Sequence, residues 1–173
     1  ADIISSSRTQ YVNTLRDCLP ELRRSFEFPY AVELDYRPGW KKGESLESMM
    51  HQNLDRDKAQ GYTFHGPHRA DLLIQLDGQP AANVTSRGEL KVLAIILKLL
   101  QVAIHQTNSS QRAVLLLDDL PSELDQRNYS LTLEYLQRLG SQVFISMIDQ
   151  TIPFAGDFET KMFHVEHGRV SVD

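Results

Sequence analysis

Residues 113–125 read AVLLLDDLPSELD, and this stretch decides the fold. Ala113 to Leu117 are apolar without alternation, the pattern of a strand buried on both faces of a parallel sheet. The run stops at two acids, Asp118 and Asp119, followed by Leu120 and Pro121. Ligands of open parallel sheets sit beyond the carboxyl ends of the strands. Two carboxylates placed there can hold Mg2+, directly or through water, and can orient a water nucleophile. The same residues also read as a buried strand that ends in a polar turn, so the chemical reading needs support from the rest of the chain.

Downstream, residues 126–139 predict an amphipathic helix with Leu131, Tyr135 and Leu139 on one face, Leu136 beside them and Gly140 at its end. Residues 142–148, QVFISMI, predict the next strand. A strand, a helix and a strand with short joints define a right-handed parallel unit. Residues 162–165 and 169–172 predict a closing hairpin about His167-Gly168.

Upstream, Ser86-Arg87-Gly88-Glu89 stands directly ahead of the apolar run 90–104. Ser-x-x-Glu is a capping box, in which the serine serves an orphan N–H and the glutamate reaches back. Gly88 in the first turn is a poor helix former that permits close approach of a backbone or ligand, and helix N-termini attract phosphate. The segment is therefore a plain cap or a phosphate reader. Lys91, Lys98 and His105 recur every seven residues, which predicts a helix buried except for one solvated stripe.

The first part of the chain predicts a helix over 3–28 with Tyr11, Leu15, Cys18/Leu19 and Leu22 inward and a kink or break at Pro20. A strand over 30–36 follows, closed by Arg37-Pro38-Gly39. Trp40-Lys41-Lys42 can stack on a base or anchor a loop. Residues 44–60 read as a second helix with Leu46, Met49, Met50 and Leu54 on one side. In the loop 62–70, His65 and His68 are three apart, as are His164 and His167, but a metal site needs further ligands. His68 and Arg69 suit hydrogen bonding to a phosphate, or fixing the loop. Residues 71–77 predict a strand turned by Gly78-Gln79-Pro80.

At 173 residues the chain is one domain, or one and a small lobe. Its lone Cys18 excludes an internal disulfide and fits a reducing, cytoplasmic setting. Net charge of −5 argues against a broad nucleic-acid face. The most apolar run, 90–104, is too short and too charged to span a membrane. The start at Ala1 rather than Met implies a processed product or a fragment.

Four segments together, GPHRADL at 66–72, SRGELK at 86–91, LLLDDLPSELDQR at 115–127 and QVFISMID at 142–149, resemble the C-terminal part of the RecF recombination-mediator family, ABC-type ATPases related to the SMC proteins. The resemblance covers nearly the whole chain in order. It implies an α/β fold, the C-terminal part of a P-loop ABC-type ATPase domain with a parallel sheet flanked by helices and a small helical lobe at the N-terminus. Residues 1–61 would be the remainder of the helical second lobe and 62–173 the C-terminal half of the ATPase domain.

By the same resemblance, 115–119 is the Walker B strand, with Asp118 on Mg2+ and Asp119 as the catalytic acid that orients the attacking water. Ser86, Arg87, Gly88 and Glu89 match the signature motif, which contacts the γ-phosphate of ATP held by a second subunit. Ser122, Glu123, Leu124 and Asp125 match the loop across the dimer interface. The stretch ending at Asp149 matches the switch region, where many ABC ATPases carry a His and this chain offers Ser146, Met147 and Asp149.

The implied function is DNA repair and recombination. An ATP-dependent dimer would act on single- and double-stranded DNA at gaps or junctions and help load a recombinase with RecO and RecR. A P-loop, G-x-x-x-x-G-K-[ST], is missing. The nearest approach, Gly39-Trp40-Lys41-Lys42-Gly43-Glu44-Ser45, is one residue short and carries an acid where the Lys belongs. The chain alone is therefore expected neither to hydrolyse ATP nor to bind it strongly. The alternatives are a non-catalytic interaction module that keeps the fold without the chemistry, and a free-standing DNA-binding domain, against which the acidic charge weighs.

Overall fold

A computed structural model describes residues 1–109, 111–148 and 159–172, and contacts divide the chain into two units, Ala1–Gln111 and Arg112–Asp173. In the first unit, helix α1 (Asp2–Ser25) buries Val12, Leu15, Leu19 and Leu22, positions three and four apart that form one stripe. Tyr11 and Cys18, expected on that stripe, are exposed, and Val12 takes the inward place. Pro20 lies inside α1 without dividing it. It sits on the exposed side, away from the stripe that packs inward.

Strand β1 (Val32–Arg37) is followed by α2 (Leu46–Gln52) and α3 (Leu54–Gln60) rather than by the single helix expected over 44–60. The break is local. The Asn53 side chain donates to the Met49 carbonyl at 2.8 Å and its backbone N–H to the same oxygen at 3.1 Å, the competition with the helical ladder that Asn offers. Leu46 and Met49 are buried, while Met50 and Leu54 are exposed.

Beyond one 3-10 turn (Pro67–Arg69), β2 (Asp71–Leu76) pairs antiparallel with β1 and with the short β3 (Gln79–Pro80). A short α4 (Ala81–Val84) leads to α5 (Arg87–Asn108), which buries Val92, Leu93, Ile96, Leu99, Leu100 and Ile104. Helix α1 packs on α5 and on β1. The β1–β2 pairing joins segments on either side of residue 61 within one unit.

The second unit carries the parallel pair. Strand β4 (Val114–Leu117) runs into α6 (Leu120–Glu123) and α7 (Gln126–Leu139), and β5 (Gln142–Ile145) returns parallel to β4, Leu117 opposite Ile145. Helix α7 buries Tyr129, Thr132, Leu133 and Leu136. The expected face of Leu131, Tyr135 and Leu139 is only half-buried. Strands β6 (Phe163–Glu166) and β7 (Arg169–Val172) form the expected hairpin. His167 and Gly168 both have positive φ, 49° and 76°, as a two-residue turn between right-twisted strands requires.

Burial of β4 on both faces is not what is observed. Leu115 is buried, but Val114 and Leu116 are 57% and 78% exposed, and Phe144 of β5 is 46% exposed. Among the described residues β4 has a single neighbouring strand and one bare apolar face. The unbroken apolar run records a need for cover that the described residues do not supply. No helix among the described residues is long and apolar enough to cross a membrane.

Candidate functional site

The acids follow directly from the end of β4. The ladder continues one step past the strands, where the Ser146 N–H donates to the Leu117 carbonyl at 3.0 Å. That register sets Ser146 beside the acids. Its hydroxyl donates to Asp118 Oδ1 at 2.5 Å and accepts the Asp119 backbone N–H at 2.8 Å. Asp119 lies in the left-handed region, φ 47° and ψ 37°, as the N-cap of α6. Aspartate and asparagine visit that region more readily than other side chains. The Asp119 carboxylate accepts from the Ser122 hydroxyl at 2.8 Å. Asp118, Asp119, Ser122 and Ser146 thus form one connected polar cluster at the carboxyl end of a parallel strand.

Oxygen ligands of this kind fit Mg2+, a hard cation commonly held by one or two carboxylates together with substrate phosphate and water. Ser146 engages one oxygen of Asp118, which leaves the other for a metal. Met147 is half-buried beside Ser146; Asp149, also named in the switch stretch, lies outside the described residues.

The second group opens α5. The Glu89 N–H donates to Ser86 Oγ at 3.2 Å and the Ser86 N–H to Glu89 Oε2 at 2.8 Å, closing the capping box. The Tyr30 hydroxyl donates to Glu89 Oε1 at 3.0 Å, a partner that sequence reading did not supply. The Ser86 backbone N–H first, then the Ser86 side chain and Tyr30, hold the Glu89 carboxyl below its ordinary value of 4.5. Tyr30 is correspondingly raised by its bond to Glu89. Arg87 is exposed. A Cβ built on Gly88 would meet nothing nearer than Ser86 Oγ at 4.0 Å. Nothing among the described residues therefore requires a glycine there.

Since folding lowers the Glu89 pKa, its contribution is complete above about pH 4.5 and is lost as pH falls through the lower folded value. Glu89→Gln should accordingly lie below wild type in urea unfolding at pH 7, with the gap closing as pH falls below the ordinary carboxyl range. Ser86→Ala should cost ~1 kcal/mol at pH 7, the usual worth of an N-cap.

The remaining expected site residues divide. Ser122 joins the acid cluster through Asp119. Asp125 caps α7, accepting the Asn128 N–H at 2.8 Å and its side-chain amide at 2.7 Å; the backbone bond leads in holding its carboxyl low. Glu123 is exposed and Leu124 half-buried. In the GPHR loop, His68 Nε2 lies 3.2 Å from the Thr63 carbonyl, and the Arg8 guanidinium donates to the Pro67 carbonyl at 3.0 Å. These bonds fix the loop. The Arg69 guanidinium lies 5.9 Å from the Tyr62 ring centroid and 5.8 Å from that of Phe64. In the Gly39–Ser45 segment, Lys41 pairs with Glu44, Lys42 reaches Asp35 of β1 at 3.4 Å and Ser45 caps α2, so these side chains serve the local fold.

Comparison with known proteins assigns the class. No family model matches the chain. Over 99% of its length it matches the recombination mediator protein RecF-ATPrS of the RecFOR pathway, with a TM-score of 0.75 and 23% identity, covering 46% of that chain. RecF-ATP of the same pathway gives a TM-score of 0.73 and 25% identity over 96% of the chain. The fold is that of an α/β ABC-type ATPase domain, in part.

Among curated proteins, the DNA replication and repair protein RecF of Thioalkalivibrio sulfidiphilus is 40% identical over 167 residues, 96% of this chain and 46% of that protein. RecF of Aliivibrio salmonicida is 35% identical over 172 residues, 99% of this chain and 48% of that protein. Over nearly its whole length the chain is similar to the C-terminal part of these RecF proteins. It spans about half the length of the curated relatives it matches.

Proposed function

We propose that this chain is the signature and Walker B half of a RecF-type ATPase that dimerises on DNA when it binds ATP. The observation that carries the reading is the acid pair at the end of β4, tied to β5 and α6 by two serine hydroxyls. Asp118 would hold Mg2+, which supplies neutralisation of phosphate charge when bound. Asp119 would orient the attacking water and accept its proton. Ser86 and the first-turn amides of α5 would face the γ-phosphate of nucleotide clasped by a second subunit, where the dipole and free N–H groups favour an anion. The Ser122–Asp125 segment would run across that dimer interface.

The phosphate cradle belongs to another part of the protein, so this chain alone is not a catalyst. The DNA it serves would be gapped or at a single-strand/double-strand junction, with RecO, RecR and a recombinase as partners in the cytoplasm. The second reading, an interaction module without nucleotide chemistry, draws on the lack of a P-loop in residues 1–173.

Gly88→Asp separates the two. The position is open, loss of glycine favours the helix, and a carboxylate in the first turn suits the dipole, so the chain should be as stable or ~1 kcal/mol more stable. The same charge repels a phosphate. In the full-length protein carrying this chain, sedimentation with ATP and Mg2+ should show a dimer for wild type and a monomer for Gly88→Asp. A dimer in both, or a monomer in both, sinks the proposal.

A further inference from the structure

We infer that Ser146 is the positioning residue for both acids, fixing Asp118 through its carboxylate and Asp119 through its backbone; this rests on the reading of the acid pair given under Proposed function. A hydroxyl has one proton and two lone pairs. The Asp119 N–H occupies a lone pair of Ser146 Oγ at 2.8 Å, which directs the single proton to Asp118 Oδ1 at 2.5 Å. Ser146 is itself pinned, because its N–H donates to the Leu117 carbonyl at 3.0 Å in continuation of the β4–β5 ladder. The backbone that carries the hydroxyl is therefore held by sheet register, and the two bonds to the acids set its rotamer.

Two consequences follow for the acids. Asp118 keeps one oxygen against β5 and presents the other. Asp119 is held by its N–H in a left-handed conformation, φ 47°, and in that conformation its carboxylate meets Ser122 Oγ at 2.8 Å. One small side chain at the switch position thus orients the metal-side acid and the water-side acid together. It does so with an uncharged hydroxyl rather than the imidazole that many ABC ATPases place in this region. Outer-sphere partners of metal-binding carboxylates are typically worth 10–100-fold in affinity or activity.

The test uses the full-length protein with a non-hydrolysable ATP analogue and Mn2+ as the probe metal, read by electron paramagnetic resonance, with ATP turnover in Mg2+ measured alongside. Ser146→Ala should weaken Mn2+ binding by roughly 10-fold or more and lower turnover by a similar factor. Nucleotide affinity without metal should stay within about 2-fold, because the hydroxyl's proton and one lone pair are engaged by the acids. Ser146→Thr, which keeps the hydroxyl, should restore metal affinity. Unchanged Mn2+ affinity in Ser146→Ala overturns the inference, as does a failure of Thr to restore it or a loss of melting temperature with metal affinity intact. Asp118→Asn serves as the reference: if it binds Mn2+ as wild type does, the acid pair is not the metal site and the functional reading has failed as well.

Discussion

Replacing Asp119 by Asn in the full-length protein should lower ATP turnover by about 10^2 to 10^4-fold, the range seen when a general base is removed, while leaving the fold and nucleotide binding in place. The expectation comes from the backbone. Asp119 adopts φ 47° as the cap of α6, and asparagine accepts that conformation nearly as well as aspartate. Its side-chain oxygen can still accept from Ser122, which lies 2.8 Å from Oδ1. Only the negative charge and the basicity are lost. Stability measured by urea unfolding should change by less than ~0.5 kcal/mol. Asp119→Ala should lose ~1–2 kcal/mol in addition to activity, since alanine pays the left-handed strain without a side-chain partner. Turnover by Asp119→Asn within about 3-fold of wild type would remove this residue from the catalytic role.

The second large effect is structural and lies elsewhere. Gly39→Ala should destabilise the chain by about 3 kcal/mol or more, the sum of left-handed strain and forced overpacking. Gly39 has φ +94°, and a Cβ there would lie 2.2 Å from the Gly66 carbonyl oxygen and 2.8 Å from the Ala70 nitrogen. All of these are backbone atoms and cannot swing aside. The Gly66 N–H donates back to the Gly39 carbonyl at 3.2 Å, so the turn after β1 and the GPHR loop are locked face to face. Gly43→Ala is the matched control. It has φ +88° with nothing within 4 Å of the added carbon, and should cost only ~1 kcal/mol. A thermal melt of both variants should separate them by roughly 4–8 °C. Equal losses would show that close approach contributes nothing at Gly39.

What the sequence disclosed and what it withheld follow from the range of the interactions. The box at Ser86 and Glu89 was legible because all its atoms lie within four residues, and the hairpin at His167-Gly168 because its turn chemistry is local. The parallel pairing of 114–117 with 142–145 was legible from a strand, a helix and a strand with short joints. The bare face of β4 was not, because burial is set by what lies across the sheet and not by the strand's own composition. The break at Asn53 turned on one side-chain bond to a carbonyl four residues back. Ser146 was visible as a residue of the switch stretch, but its hold on both acids needs the register of β4 against β5. Tyr30, 59 residues from Glu89, and the Gly39–Gly66 contact carried no local signal at all.

Val114 and Leu116 of β4, the strand that ends in the acid pair, make an oily strip with Phe144 of the neighbouring β5. Contiguous apolar surface of this kind invites association, so handling this half by itself sets solubility against chemistry. A lysine at Leu116 would keep the free chain in solution, and it would also stop any other sheet or helix from closing over β4. Mutational tolerance measured on the isolated chain and on the whole protein should therefore have opposite signs at these three positions.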